Sequence, residues 1–258
     1  MASAETKRLT DLTGDELQQL LGLVGGSDSV ELKLSIPEQD QRSALAKLEV
    51  DPLEAQIRQV FFFDTPDLAL NRSGLAVRAR RVQGRTGDTV VKLRPVVPDD
   101  LPDDVRRSKS VKVEVDALPG GYVCSASMKG QAPNDEIRDA ILGRGSVRKL
   151  FSKEQQVFYD AHAPEGVGWD DLSIMGPIFV LKLKQTAPGH ERKLVVEVWF
   201  YPDGSRILEL STKCAPGEAF QAGVEARAYL TNLGLDLAAE QQTKTKTALE
   251  FFGAELRG

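Results

Sequence analysis

The sequence predicts a mostly β domain of the α+β class, in which helices flank a closed sheet. Several segments alternate strictly between apolar and polar residues, as 29–36 does, because successive side chains of a strand point to opposite faces. The polar positions carry charges at the strand centres, and helical segments are available to cover the apolar faces. If the sheet closes into a barrel with the helices outside, the charged faces line its interior.

Length and composition set broad limits on the protein. A chain of 258 residues can bury a full core, and we expect a single domain, 1–258. A net charge of −5 argues against a nucleic-acid-binding protein, so an anion site must come from local clusters of lysine and arginine. The distant Cys124 and Cys214 form no CxxC motif; a disulfide stays open, but reduced thiols are favoured. With no signal peptide and no apolar run of roughly 20 residues, we expect a cytoplasmic protein without membrane contact.

The predicted elements follow from local signals. A capping box of Thr13 and Glu16 predicts a first helix over 13–23, and Pro37 ends the first strand and begins a helix at about 38–50. Strands are predicted at 29–36, 56–64, 77–80, 90–94, 109–117, 155–161, 169–175, 177–185, 191–201 and 205–213, with mainly helix over 133–154. After Pro216 the apolar residues take a helical period, which predicts two terminal helices over the outside of the sheet.

The charged strand faces allow two interpretations. Charges that alternate with apolar residues usually mark a solvated sheet face, but such a surface mixes the two signs. Here the bases are paired along single strands: Arg78 with Arg80, Lys92 with Arg94, and Lys182 with Lys184. Like charges on adjacent strands repel one another unless an anion compensates them. A barrel interior lined with these bases and a few carboxylates suits a polyphosphate held with a divalent cation.

Three segments, 30–33, 63–70 and 74–80, and the later charged positions in the same order resemble the CYTH superfamily, the triphosphate tunnel metalloenzymes. That family includes class IV adenylate cyclases, thiamine triphosphatases and inorganic triphosphatases. The resemblance covers about 28–214, and about 215–258 would be a C-terminal helical extension. It implies an eight-stranded antiparallel barrel that binds a triphosphate-containing small molecule together with Mg²⁺ or Mn²⁺.

The resemblance also implies roles for single residues. Glu31 and Lys33 would be the catalytic groups. The phosphate-binding bases would be Lys33, Arg78, Arg80, Lys92, Arg94, Lys182 and Lys184. The metal ligands would be Glu31, Glu114, Glu197 and Glu209. Asp116 and Lys112 would be possible additional residues of the site.

Two positions depart from the family pattern. The motif ExExK begins with Ser29 here, and the paired acids of the last strand become Glu209 and Ser211. A site without those two carboxylates should hold its ion more weakly, unless Glu114 and Asp116 substitute for them. The leading hypothesis is a metal-dependent hydrolase of tripolyphosphate, a nucleoside triphosphate or thiamine triphosphate. The alternatives are a non-catalytic polyphosphate- or nucleotide-binding protein and an adenylate cyclase.

Overall fold

A computed structural model describes residues 13–119, 121–186, 189–237, 241 and 243–257. The strands are β1 (Ser29–Ile36), β2 (Gln56–Asp64), β3 (Leu75–Val82), β4 (Gly87–Leu93), β5 (Val111–Leu118), β6 (Gly121–Ala132), β7 (Ser173–Thr186), β8 (Lys193–Phe200) and β9 (Arg206–Cys214). The helices are α1 (Gly14–Gly25), α2 (Gln41–Lys47), α3 (Ala69–Arg72), α4 (Asp103–Arg107), α5 (Asn134–Ile141), α6 (Lys153–His162), α7 (Ala219–Asn232) and α8 (Lys244–Arg257), with short 3₁₀ turns between them.

The strands form one closed barrel in the order β1-β5-β6-β4-β3-β2-β7-β8-β9. The predicted closed barrel with flanking helices is therefore confirmed. The strand count and direction differ from the expectation, because the described residues contain nine strands and β1 runs parallel to β5. The remaining neighbours in the barrel are antiparallel.

The strand that the sequence did not predict is β6. Half of its twelve residues are Ser, Ala or Gly, and Gly and Ala have little β-propensity. A small residue is needed at Gly130, where a Cβ atom would lie 2.4 Å from Oε1 of Gln155. Gln155 instead reaches the barrel wall, accepting a hydrogen bond from Thr89 and donating one to the Met128 carbonyl.

Residues 155–161, predicted as a strand, belong to α6. The hydroxyl of Ser152 accepts a hydrogen bond from the Gln155 amide, and the Gln155 side chain accepts one from the Ser152 amide. This capping box starts a helix and overrides the local β-propensity. Residues 169–171 form a 3₁₀ turn rather than the start of a strand, and β7 begins at Ser173.

The helices pack against two different sides of the barrel wall. Buried apolar residues on the outer face contact α1, α5 and α6 on one side, and α2 and α7 on another. Helix α8 instead joins a third apolar cluster, in which Leu249 and Phe252 lie with Phe62, Val180 and Trp199. Strand register places those three residues on the interior face, together with Arg78 and Lys182. Of the two terminal helices, α7 therefore packs outside the barrel as predicted, whereas α8 fills part of the barrel interior.

Two further features bear on the expectations. Cys124 and Cys214 are both buried and free, as the reduced-thiol prediction has it. Within the described residues, no helix combines the length and apolar character that a membrane crossing needs.

Candidate functional site

Three carboxylates converge inside the barrel where β1 and β5 run parallel. The register sets Ser29 beside Glu114 and Glu31 beside Asp116, so the side chains of alternate residues point to the same interior face. Glu31, Glu114 and Asp116 each offer an oxygen that lies within 4.8 Å of the other two. Hard oxygen donors at this spacing are the ligand type that Mg²⁺ and Mn²⁺ prefer.

The two serines that stand in place of acids hold this cluster by hydrogen bonds. Ser29 Oγ donates to Glu114 Oε2 at 3.1 Å, and Ser211 Oγ donates to Glu31 Oε1 at 3.0 Å. Each hydroxyl therefore fixes the direction of one carboxylate. Glu114 lies beside Ser29 on the neighbouring strand. The sequence left open whether Glu114 could substitute for an acid at position 29, and its carboxylate is close enough to do so.

Lysines neutralise the carboxylate cluster. Lys33 Nζ lies 2.8 Å from Asp116 Oδ1 and 3.2 Å from Glu31 Oε2, and Lys92 Nζ lies 3.3 Å from Asp116 Oδ2. Burial alone would raise the pKa of Asp116, but Lys92 and Lys33 hold it at about 2. Burial would likewise lower the pKa of Lys33, yet Asp116 and Glu31 raise it above its ordinary value. Glu114 forms a further ion pair with Lys213 of β9.

A second part of the interior is basic. Arg80 pairs with Asp88, its Nε and Nη2 atoms lying 2.9 Å from the carboxylate oxygens. Among the described residues, the neighbouring Arg78 has no such carboxylate partner, and its buried Nε donates no hydrogen bond. Burial and the nearby charge of Arg80 lower the pKa of Arg78, although arginine starts high enough to stay charged at neutral pH. Arg58, on the same face, has its pKa lowered by burial and by Arg80.

The remaining acids form a separate pair with their own counter-charges. Glu197 of β8 lies opposite Glu209 of β9. Lys182 Nζ lies 2.6 Å from Glu197 Oε1, and Lys244 Nζ lies 2.5 Å from Glu197 Oε2 and 2.7 Å from Glu209 Oε1. Burial alone would raise the pKa of Glu197, but Lys244 and Lys182 lower it well below its usual range.

A small cavity of about 70 Å³ connects the two acidic groups. Its polar lining comprises Lys33, Arg94, Asp116, Glu209 and Lys244, with Thr243 and Thr245 at the start of α8. A larger and more open depression of about 520 Å³ lies in the connection from α6 to β7, outside the barrel. Its charged lining is acidic (Asp160, Glu165 and Asp171), which suits an anion poorly.

Most of the residues predicted for the site therefore lie on the interior face: Glu31, Lys33, Arg78, Arg80, Lys92, Glu114, Asp116, Lys182, Glu197 and Glu209. Arg94 lines the small cavity. Lys112 and Lys184 are solvent-exposed.

Among the described residues, the sequence-based prediction missed further bases that the register or the contacts place on this side of the sheet. Arg58 and Lys244 are half-buried, whereas Lys129 and Lys213 are exposed, as Lys112 and Lys184 are. Arg58 and Lys213 continue the alternation of β2 and β9, so the periodicity of those strands could have found them. Lys129 lies on β6, the strand that was not predicted. Lys244 comes from helix α8, and no sequence pattern predicts that this helix enters the barrel interior.

Comparisons with known proteins bear on the fold. No protein-family model matches the chain, and the search of curated proteins gave no match. A proposed adenylate cyclase from Bacillus halodurans has a TM-score of 0.59 at 13% sequence identity, over 86% of this chain and 97% of its own. A proposed adenylyl cyclase from Hippeastrum, described as having a dominant triphosphatase activity, has a TM-score of 0.62 at 15% identity, over 86% and 95%. The chain thus shares the overall fold of these two proteins.

Proposed function

We propose that this chain is a metal-dependent hydrolase of a triphosphate, such as tripolyphosphate, a nucleoside triphosphate or thiamine triphosphate. The observation that carries the proposal is Arg78, whose buried Nε has no hydrogen-bond partner beside a second arginine. An unpaired buried donor costs about 1–3 kcal/mol, and more where it is charged. A phosphate oxygen at this position would satisfy the donor and offset the repulsion between Arg78 and Arg80.

The acidic cluster fits the metal that the proposal requires. Glu31, Glu114 and Asp116 would hold Mg²⁺ or Mn²⁺, because their oxygens lie close enough together to share one ion. A bound ion would supply charge that polarises the phosphoryl group. Lys33 and Lys92, which now neutralise these carboxylates, would then be free to donate hydrogen bonds to phosphate oxygens.

The protein residues have three tasks in hydrolysis. Arg78, Arg80 and Lys33 would hold the triphosphate and stabilise the charge that spreads over its oxygens in the transition state. Glu31 would orient the attacking water from the carboxylate cluster that it forms with Glu114 and Asp116. Water attacks the terminal phosphorus and the anhydride P–O bond breaks. The leaving phosphate oxygen takes the negative charge beside Arg78 and Arg80, and the proton lost by the attacking water passes to solvent as the new phosphate is released.

The proposal is tested by phosphate release from tripolyphosphate, ATP and thiamine triphosphate, with Mg²⁺, with Mn²⁺ and with EDTA. We expect metal-dependent release that EDTA abolishes and that Glu31→Gln reduces at least 100-fold. Glu255→Gln, on the exposed face of α8, is the matched control and should keep full activity. Binding of the triphosphate without release would favour the non-catalytic alternative. If the triphosphate is neither bound nor hydrolysed, both the hydrolase and the non-catalytic hypothesis are contradicted.

Adenylate cyclase activity is the second candidate, because both structural relatives are proposed cyclases. Cyclisation would use the same phosphate-binding bases, with the 3′-hydroxyl of ATP in place of water. The assay with ATP separates the two reactions, since a cyclase releases pyrophosphate and cyclic AMP whereas a hydrolase releases inorganic phosphate and ADP.

A further inference from the structure

The last helix brings a lysine into the barrel interior. Lys244 is the first residue of α8, and its side chain is only 14% exposed. The helix is held there by Leu249 and Phe252 in the interior apolar cluster, and by the Arg257 guanidinium, which donates to the Pro66 carbonyl at 2.6 Å. Lys244 is therefore positioned by a packed helix and not by a free chain end.

The ammonium of Lys244 takes the position of a coordinated cation. Its nitrogen lies 2.5 Å from Glu197 and 2.7 Å from Glu209, so one ammonium makes short charge-assisted hydrogen bonds to both carboxylates and lies between them. It also lies 5.0 Å from the centre of the Trp199 ring, within the range of a cation–π contact. Burial would lower the pKa of Lys244, but Glu197 and Glu209 raise it.

The charges of this pair are balanced without a metal ion. Glu197 and Glu209 contribute two negative charges, and Lys182 and Lys244 contribute two positive charges within 2.7 Å of them. A divalent ion placed at the same carboxylates would face both ammonium groups at short range, where like charges repel strongly.

The cluster of Glu31, Glu114 and Asp116 also has lysines against it, but it differs in two ways. It offers three carboxylate oxygens within 4.8 Å of one another instead of two. Its Glu114 is paired with Lys213, which is 49% exposed and can turn into solvent, whereas Lys244 is only 14% exposed.

We propose that Lys244 is the resident cation of the Glu197–Glu209 pair, so that the barrel takes one divalent ion, at Glu31, Glu114 and Asp116, and excludes a second. The assignment of the first ion rests on the proposed function. Helix α8 thus sets the metal stoichiometry of the interior, and Lys244 acts as a positioning residue for the two carboxylates.

The experiment counts Mn²⁺ ions per chain without any triphosphate, by titration followed through the electron paramagnetic resonance of free Mn²⁺. The test variant is Lys244→Met, which keeps the apolar stem but removes the charge. The matched control is Lys246→Met, since Lys246 lies two residues on and is exposed. We expect one ion in the wild type and in Lys246→Met, and two in Lys244→Met. Adding Glu209→Gln to Lys244→Met should return the count to one.

Two ions in the wild type, or one ion in a folded Lys244→Met variant, would overturn the inference. Because Lys244→Met leaves its carboxylates short of one counter-charge, its Tm is also measured with and without Mn²⁺. Mn²⁺ should raise the Tm of Lys244→Met more than that of the wild type, or restore its folding, and no such gain would count against the inference.

The proposed function can fail independently. A wild-type count of zero would contradict the metal-dependent function. In that case a gain of one ion in Lys244→Met would still support the role of Lys244, and a count of zero in the variant would overturn it too.

Discussion

Ser29 donates a hydrogen bond to Glu114 across the parallel pair of β1 and β5, with 3.1 Å between Oγ and Oε2. The family pattern that the sequence resembles has an acid at residue 29, and here the acid lies on the next strand. A carboxylate can thus be supplied from β5 while the serine keeps it in place. The acidic cluster therefore retains three carboxylates in spite of the two serines.

Removing the serine hydroxyls should weaken metal binding without abolishing it. Ser29→Ala and Ser211→Ala each remove the hydrogen bond that orients one carboxylate. Residues that orient metal ligands typically contribute 10- to 100-fold in affinity. We expect the Mn²⁺ Kd to rise about 10-fold in each variant, measured by calorimetry. Ser110→Ala is the control, because Ser110 bonds the exposed Glu154 outside the barrel. Unchanged affinity in both test variants would exclude Glu31 and Glu114 as ligands.

Arg78 and Arg80 should respond differently to the same substitution. Arg78→Met removes a buried guanidinium whose Nε donates no hydrogen bond to any described residue, so the free energy of unfolding of the ligand-free protein should stay unchanged or rise. Triphosphate affinity should fall about 10- to 150-fold, since a charge-assisted hydrogen bond contributes about 1.5–3 kcal/mol. Arg80→Met should lower both the free energy of unfolding and the triphosphate affinity, because it also leaves Asp88 without its ion-pair partner.

Both variants are measured by urea unfolding and by calorimetry with tripolyphosphate. Arg107→Met is the control, as Arg107 forms an exposed surface ion pair with Asp103. A loss of stability in Arg78→Met as large as that in Arg80→Met would mean that Arg78 is already paired within the ligand-free protein and is not reserved for a bound anion.

Asp116 should stabilise the fold in a pH-dependent way. Its pKa falls from an ordinary value of 3.8 to about 2, because Lys92 and Lys33 outweigh the effect of burial. A carboxylate with a depressed pKa contributes stability above its unfolded pKa and loses it as the pH falls through the folded value. We expect Asp116→Asn to cost about 2 kcal/mol at pH 7, since one pKa unit corresponds to about 1.4 kcal/mol.

Urea unfolding of the wild type and Asp116→Asn checks this at several pH values. The difference between them should be constant above about pH 5 and should shrink steadily between pH 4 and pH 2. A difference that does not change with pH would show that Asp116 stabilises the barrel through packing alone. Asp103→Asn, in the exposed ion pair of α4, serves as the control.

The prediction from sequence succeeded where the side chains alternate strongly. Strands β1, β3 and β8 alternate apolar with polar residues, so their interior charges followed from period-two patterning. The predicted bounds of β1 match the observed ones, and those of β3 and β8 lie within two residues at each end. Strand β6 failed this test because small residues fill both of its faces. Its omission removed Lys129 from the site and left the parallel pairing of β1 with β5 invisible, since parallel pairing is a long-range property.

The position of α8 could not be predicted for a different reason. An amphipathic helix packs equally well against the outside or the inside of a barrel as far as its own pattern is concerned. What decides is the complementary surface, here Phe62, Val180 and Trp199 on three different strands. That surface exists only after the barrel has closed, and so the insertion of Lys244 has no local signal.

The docking of α8 can be tested through Phe252, which is 6% exposed and packs among the interior residues of the barrel. Phe252→Ala removes the largest contact of the helix and should lower the free energy of unfolding by about 3 kcal/mol, the usual cost of emptying a buried aromatic site. The same loss should release Lys244 from Glu197, which hydrogen exchange would show as faster exchange throughout 244–257.

Leu256→Ala is the matched control, because Leu256 lies on the same helix and is 45% exposed. It should change the free energy of unfolding by less than about 0.5 kcal/mol. If Phe252→Ala destabilised the barrel while α8 kept its protection, the helix would be held by its remaining contacts, including those of Lys244, Leu249 and Arg257, and Phe252 would not be what docks it.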